Sequence, residues 1–571
     1  MKRRQFLAGA SAGVITTLDW LTYFKSYGVP GGRRSLGIAE AAAAAATAPH
    51  YLIYWFQEGG WDGYSMFNPV NTPNDATGSY SGLNPSPSWS NQVYRPSGWG
   101  TAPNDLPKTA GNLNYGFLAA NGASLFNDLA IVSSHQGNQF HSGGRWDYHY
   151  GKYDKYAALT NMRGPDERTV MQAFCEAYGS SYLLPHLSWH RWMADGELSL
   201  TDYPVGTGYF ENLGPNWAHT IYGKTPADMR TRLQQIQSLT SNARDNRIRK
   251  FTDSLDASFL KDKNSASTQA FASAVQIHNS LVGAGSVDVD PTKMFTDAAL
   301  RTAFSVTSED ESASATSVNG NPARSKESPN TNVQALMTYE MMTKGLSIGF
   351  FLESRSIRGF DSHRGRSGVL SNHGQTNQLS NMNSNLWAPL NVLVSKLKAT
   401  PHPVTGKSYF DHTTIVLASE MGRMMSADAA DIIAGSVTGV TTDDQKSAAI
   451  QDQDVCQHWF VSSVAFLGGT VQGNRQYGKT VWPLQKIPNG TGGTRTVGAI
   501  PMMPDGTLDP AFNSTTGAIL SGKTQNPGSY ISDAGHVYST ALALSGLDPD
   551  ALRTAGKGRN NRPVMSFIKK V

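Results

Sequence analysis

Four short, almost wholly apolar runs set the limits on what this chain can fold into. Tyr51–Phe56, Leu129–Ser133, Leu346–Leu352 and Thr413–Ala418 are apolar at consecutive rather than alternate positions. Runs of that length and pattern fit strands covered on both faces. Stretches with helical patterning, Glu167–Tyr178, Val333–Lys344 and Leu386–Leu397, fall between them. A fifth run, Phe460–Leu467, ends at Gly468-Gly469. The alternation predicts an α/β fold, a sheet flanked by helices on both faces. In such a sheet the chemistry gathers at the carboxyl ends of the strands.

The rest of the 571 residues is looser in texture, with charged residues at 16% where about a quarter is usual. Residues 68–115 are crowded with Pro, Asn, Ser and Gly and read as extended surface loop. Residues 180–330 read as an insertion or cap, with helices expected over Asp253–Leu260 and Thr268–Val282 and a polar linker over Ser308–Asn330. No internal repeat is evident.

The net charge of +4 lies wholly in residues 1–48, and the remaining 42 basic and 42 acidic groups cancel. Bulk charge therefore gives no footprint for a nucleic-acid partner. The basic excess belongs to Met1–Leu7, MKRRQFL, followed by a weakly apolar run from Ala8 to Leu21 and an A-x-A site at Ala46-Thr47-Ala48. That is the layout of a twin-arginine export signal. It predicts passage through the Tat translocase to the periplasm or beyond, with residues 49–571 as the exported domain. Tat cargo crosses folded, often with a cofactor inserted, which points toward metal. No later stretch reaches the roughly 18–20 apolar residues of a spanning helix, so no stable membrane span is expected. Cys175 and Cys456 have no zinc-like spacing. In an oxidising compartment they can pair if the fold brings them together.

Polar residues follow the expected strands in a consistent way. Gly59-Gly60-Trp61-Asp62-Gly63 comes after the first, where Asp62 is either a turn residue or a functional carboxylate. Ser133-Ser134-His135 and then His141-Ser142-Gly143-Gly144-Arg145-Trp146 come after the second, and a hydroxyl at a helix mouth beside imidazole and arginine suits an activated nucleophile. No G-x-S-x-G elbow surrounds it. Gly359-Phe360-Asp361-Ser362-His363 follows the third, and residues two apart in an extended segment point the same way, so Asp361 and His363 can converge on one ion. A carboxylate with a neutral imidazole suits zinc, iron or manganese. His373 is a further candidate ligand. Ser419-Glu420-Met421-Gly422-Arg423 follows the fourth, offering a metal-binding carboxylate and an oxyanion-binding arginine, or a structural ion pair. His458, in Gln457-His458-Trp459, is a ligand or a structural histidine.

Taken in order, the twin-arginine leader, GGWDG, the His-Ser segment, GFDSH, ASEMGR, the late histidine before LGGTVQGNRQYG and the closing HVYSTALALSGLDPDAL resemble the bacterial domain-of-unknown-function 1501 family. That family is assigned to the alkaline-phosphatase-like clan, which includes sulfatases. The resemblance implies a central, mostly parallel sheet with loop-rich insertions and a two-metal hydrolase of phosphate or sulfate esters. By position it implies one metal site from Asp361, His363 and His458, and a second from Asp62 and Glu420. Ser142, with Ser134 as the alternative, falls near the clan's nucleophile, beside His141. Arg145 or Arg423 falls where an arginine holds the substrate's oxyanion. One or two divalent ions and a small ester or glycan-linked substrate are the expected ligands.

The chain departs from the clan at Glu420-Met421, where an Asp-His pair is usual, and it lacks the sulfatase Cys-x-Pro-x-Arg. A second class of function therefore stands beside the first. It is a noncatalytic cell-envelope protein binding a glycan, polymer or protein through aromatic loops around Trp89, Trp99 and Trp146.

Overall fold

The structure is a computed structural model that describes chiefly residues 50–61 except 58, 66–67, 108–138, 141–151, 169–179, 186–188, 289–308, 330–353, 382–425, 456–459, 461–489, 493–554 and 562–570. The leader, the expected helices at 253–260 and 268–282, and most of the 180–330 insertion lie outside the described residues.

Nine strands carry the architecture near the site: β1 (Tyr51–Gln57), β2 (Leu129–Gln136), β3 (His186–Ser188), β4 (Gly349–Glu353), β5 (Thr413–Ser419), β6 (Gly422–Met425), β7 (Cys456–Trp459), β8 (Val461–Gly468) and β9 (Arg475–Tyr477). Seven of them form one sheet in the order β9-β2-β8-β5-β1-β4-β3. β1 pairs in parallel with β4 and β5, β4 with β3, and β9 with β2, whereas β8 runs antiparallel to both β2 and β5. The fold is thus mixed α/β with a mostly parallel central sheet. The apolar run at 460–467 becomes β8, displaced by one residue and reversed in direction relative to its neighbours.

β1 and β5 are buried at every position, which explains their unbroken apolar sequence. Five helices matter for the site: α1 (His141–Tyr150), α2 (Val170–Tyr178), α3 (Thr331–Thr343), α4 (Ala388–Ala399) and α5 (Ala534–Leu544). On one face α1 lays Tyr148 edge-on against Phe56 and stacks His149 on Phe351, and α2 and α5 pack beside it. On the other face Gln57, of opposite parity to Phe56, donates from Nε2 to the Asn385 carbonyl at 3.4 Å. There the wide turn Asn383–Trp387 leads into α4, which packs on α3. The helix expected over Leu386–Leu397 therefore begins two residues later and is preceded by that turn.

The second strand is longer than its apolar run. Ser133, Ser134 and His135 are part of β2 and are buried, because the polar residues find partners on neighbouring segments. Ser134 Oγ donates to the Ile500 carbonyl at 2.5 Å and accepts the Lys479 N–H at 2.8 Å. Those partners belong to a long hairpin, β10 (Lys479–Asn489) and β11 (Gly493–Ile500). The polar stretch 308–330 carries a two-residue ribbon, Ser317–Val318 with Asn321–Pro322. Cys175 is buried in α2, and Cys456 begins β7.

Candidate functional site

Because β1, β2, β4 and β5 run the same way, their carboxyl ends share one edge, and the antiparallel β8 starts at that edge. The strands after which, in sequence, most of the candidate residues come end there, and the strand that His458 precedes begins there. GGWDG follows β1, the α1 segment follows β2, GFDSH follows β4, SEMGR follows β5, and His458 precedes β8. At the edge Gln57 is level with Ser419, and Phe56 with Glu353.

Glu420 is the centre of what can be described. It is fully buried, an unusual setting for a carboxylate unless its oxygens have partners. Oε1 accepts the Gly59 N–H at 2.6 Å. Ser419 Oγ donates to the Gln57 carbonyl at 2.6 Å, lies 3.2 Å from Glu420 Oε2, and accepts the Trp61 N–H at 3.1 Å. Gly59 and Gly60 adopt φ of 107° and 77°, values that favour glycine, and this turn aims the Gly59 N–H at the carboxylate. Trp61 is held by its indole N–H, which donates to Ser462 Oγ at 3.0 Å. The turns after β1 and β5 and the start of β8 are therefore one bonded unit.

Helix α1 closes the unit from above. A Cβ on Gly144 would stand 2.4 Å from Glu420 Cβ, and one on Gly137 would stand 2.4 Å from the Glu420 carbonyl. Only glycine admits so close an approach. The Asn138 N–H donates to the Glu420 carbonyl at 2.9 Å, and its side-chain amide donates to Asp147 Oδ2 at 3.0 Å. Asn138 and Asp147 are both buried. Glu420 thus sits against the first turns of α1, where main-chain N–H groups and the helix dipole favour negative charge.

The predicted site residues fall into three groups. Glu420 is placed, with its contacts. His141, Ser142 and Arg145 lie in the first five residues of α1, and Arg423 of β6 faces His458 of β7 in antiparallel register. For these the structure describes the backbone and not the side chains. Asp62, Asp361, His363 and His373 lie outside the described residues, as do Trp89 and Trp99. Ser134 is fully buried in β2 and bonded to main chain of the hairpin, and Ser142 is the second residue of α1. Among the described residues no group of three or more His, Cys, Asp or Glu side chains is gathered in a metal-binding arrangement.

A second buried polar cluster lies behind α1. His135 contacts Tyr148 and Ser532, and Asp533 pairs with Nδ1 of His536 at 2.8 Å and with Arg562 at 2.9 Å. Burial alone would push the Asp533 carboxyl up, but the hydrogen bond and charge of His536 and the charge of Arg562 outweigh it and hold the group below the usual range. Asp533 also caps α5 through the N–H groups of Gly535 and His536. Sequence reasoning missed Asn138, Asp147, Tyr148, Ser532 and Asp533. The one available signal was Asp533-Ala-Gly-His536 ahead of an apolar helical run, a reciprocal capping pattern.

No curated protein and no solved structure matches this sequence. Residues 50–486 match the family described as "Protein of unknown function (DUF1501)". That span takes in GGWDG, α1, Glu420 and β7, and stops short of Ser532, Asp533 and His536. On that match the chain belongs to the DUF1501 family.

Proposed function

We propose that the protein is an exported, metal-dependent hydrolase of phosphate or sulfate esters on an alkaline-phosphatase-like sheet. The observation that carries the reading is the meeting of a fully buried carboxylate, Glu420, with the turn that leads to Asp62 and the first turns of the helix bearing Ser142. The register of Arg423 against His458, just before β8 enters the same edge, supports it.

The residues suit the group. Asp62, Asp361, His363, Glu420 and His458 offer oxygen and nitrogen donors of the kind zinc, iron and manganese take, and Glu420 is already oriented by the Gly59 N–H. In this reading Asp361, His363 and His458 hold one divalent ion, and Asp62 and Glu420 a second. Bound ions there would supply charge stabilisation for the attacking and leaving oxygens. The chain's own part is to present the Ser142 hydroxyl at the start of α1, with His141 beside it for proton transfer. The N–H groups of that helix start, with Arg145 or Arg423, bind the ester's oxyanion. The buried packing around Trp61 keeps water from the floor of the site. A twin-arginine leader at residues 1–48 would deliver the protein, already folded, to the periplasm or beyond.

Elemental analysis of protein purified from its export route, beside an Asp361→Ala, His458→Ala double variant, tests the reading. About one or two equivalents of zinc, iron or manganese that vanish in the variant, with turnover of p-nitrophenyl phosphate or sulfate, are expected. Metal-free protein without turnover would refute it and favour the envelope-binding alternative.

A further inference from the structure

Tyr148 of α1 and His135 of β2 meet behind the helix that carries Ser142. Both are buried, at 1% and 0% exposure. The Tyr148 hydroxyl lies 2.6 Å from Nε2 of His135, and Nδ1 lies 2.9 Å from Ser532 Oγ. Ser532 Oγ also lies 3.0 Å from the Ser134 carbonyl. With its one hydroxyl proton given to that carbonyl, it accepts from His135 and Nδ1 carries the hydrogen. A neutral ring protonated at Nδ1 presents a lone pair at Nε2, and the Tyr148 O–H donates to it. Burial pushes the His135 imidazole down to about 3, against the opposing pull of the Asp533 carboxylate, and the neighbouring His536 lowers it further. The ring therefore stays neutral through the ordinary pH range. Donation runs one way, from Tyr148 through His135 and Ser532 to the Ser134 carbonyl.

Gly144, Asp147 and Tyr148 are spaced i, i+3, i+4 and so share one face of α1. Gly144 abuts Glu420, Asp147 takes the Asn138 amide, and Tyr148 donates to His135. The first two fixings lie on the turn joining β2 to α1 and on the Glu420 loop. The third ties the far half of the helix to the body of the sheet. It adds a directional polar tie to the ring contacts of Tyr148 with Phe56 and of His149 with Phe351, which hold the same half of the helix.

We propose that His135 is a positioning residue for α1, holding the Ser142-bearing turn in register with Glu420 through Tyr148, with Ser532 fixing its tautomer. The importance of Ser142 rests on the hydrolase reading, whereas the hydrogen-bond relay does not. Ser532 lies beyond the stretch matched to the family, so this places part of the site's support in the C-terminal segment.

The test uses the full-length protein and three variants, His135→Asn, His135→Gln and Tyr148→Phe. Hydrogen exchange is followed over residues 141–150, together with p-nitrophenyl phosphate hydrolysis. His135→Asn and Tyr148→Phe should each speed exchange about tenfold and lower kcat with KM unchanged. His135→Gln, whose Oε1 can still accept the Tyr148 proton, should restore both. Wild-type exchange in the Asn and Phe variants, or a Gln variant as impaired as Asn, overturns the proposal. If the native protein hydrolyses no ester while exchange responds as stated, the hydrolase reading falls and the positioning role stands. If hydrolysis is present and kcat is the same in all three variants, the positioning role falls and the hydrolase reading stands.

Discussion

The Gly59 N–H donates to Glu420 Oε1 at 2.6 Å, joining positions 361 residues apart in the chain. This bond locks the turn after β1 to the turn after β5, and it orients a carboxylate that the sequence alone offers equally as a ligand or as half of an ion pair. Glu420→Gln keeps an oxygen for Gly59 and the shape of the side chain while removing the charge. The expected outcome is a folded protein with a melting temperature within a few degrees of wild type, at least one metal equivalent lost, and ester hydrolysis reduced by about a hundredfold or more. Loss of fold in this variant, or retained metal and activity, counts against Glu420 as a ligand.

Gly144 has no room for a methyl group. Gly144→Ala sets a Cβ 2.4 Å from Glu420 Cβ, so either α1 or the Glu420 loop must move, at about 1–3 kcal/mol. Denaturant unfolding should show that loss. In the hydrolase reading, activity should fall further than stability accounts for, because Glu420 and the start of α1 both belong to the proposed site.

Asn138 and Asp147 are expected to be energetically coupled. Asp147→Ala leaves the buried Asn138 amide without its carboxylate acceptor at 3.0 Å, a cost of about 1–3 kcal/mol. The Asn138→Ala, Asp147→Ala double variant should lose clearly less than the sum of the two single losses. Additive losses would mean that the contact does not carry the coupling.

Acid should weaken the fold through its buried histidines. Burial lowers His135 to about 3, and burial with the nearby His412 lowers His50 from its usual 6.5 to about 4. His402 and His412 are shifted down as well, burial first in each case. These rings are neutral when folded and take up a proton on unfolding below about 6.5, so the unfolded chain binds more protons. Stability is therefore fully present above pH 6.5 and declines as pH falls toward 4 for His50 and toward 3 for His135. Melting temperature measured from pH 8 to pH 4 should fall over that interval, and the His135→Gln variant should show a shallower slope. A flat profile would contradict the buried, neutral state of these rings.

The central strands were legible because β1 and β5 are covered on both faces, which forces an unbroken apolar sequence. The direction of β8 was not, since an apolar run carries no sign of which way it will lie between β2 and β5. The extension of β2 through Ser133, Ser134 and His135 was hidden for another reason. Polar residues read as loop until their partners are known, and those partners come from positions 476, 479, 500, 532 and 148. Glu420 could be found because it directly follows a legible strand. Asn138 and Asp147 could not, because their roles depend on the angle at which α1 meets the sheet.

β1 lies in the middle of the sheet, yet its neighbours β4 and β5 begin at Gly349 and Thr413. A ribosome adding about 5–20 residues per second takes roughly 15–60 s to produce the first of them after β1 emerges. During that interval an aromatic, almost wholly apolar segment has neither edge paired, which exposes it to self-association. His135 waits longer still, because its partner Ser532 lies 397 positions further along the chain. Folding of this protein is consequently governed by contacts of high sequence separation, and a chaperone that shields residues 51–57 would act on the segment left longest without its partners.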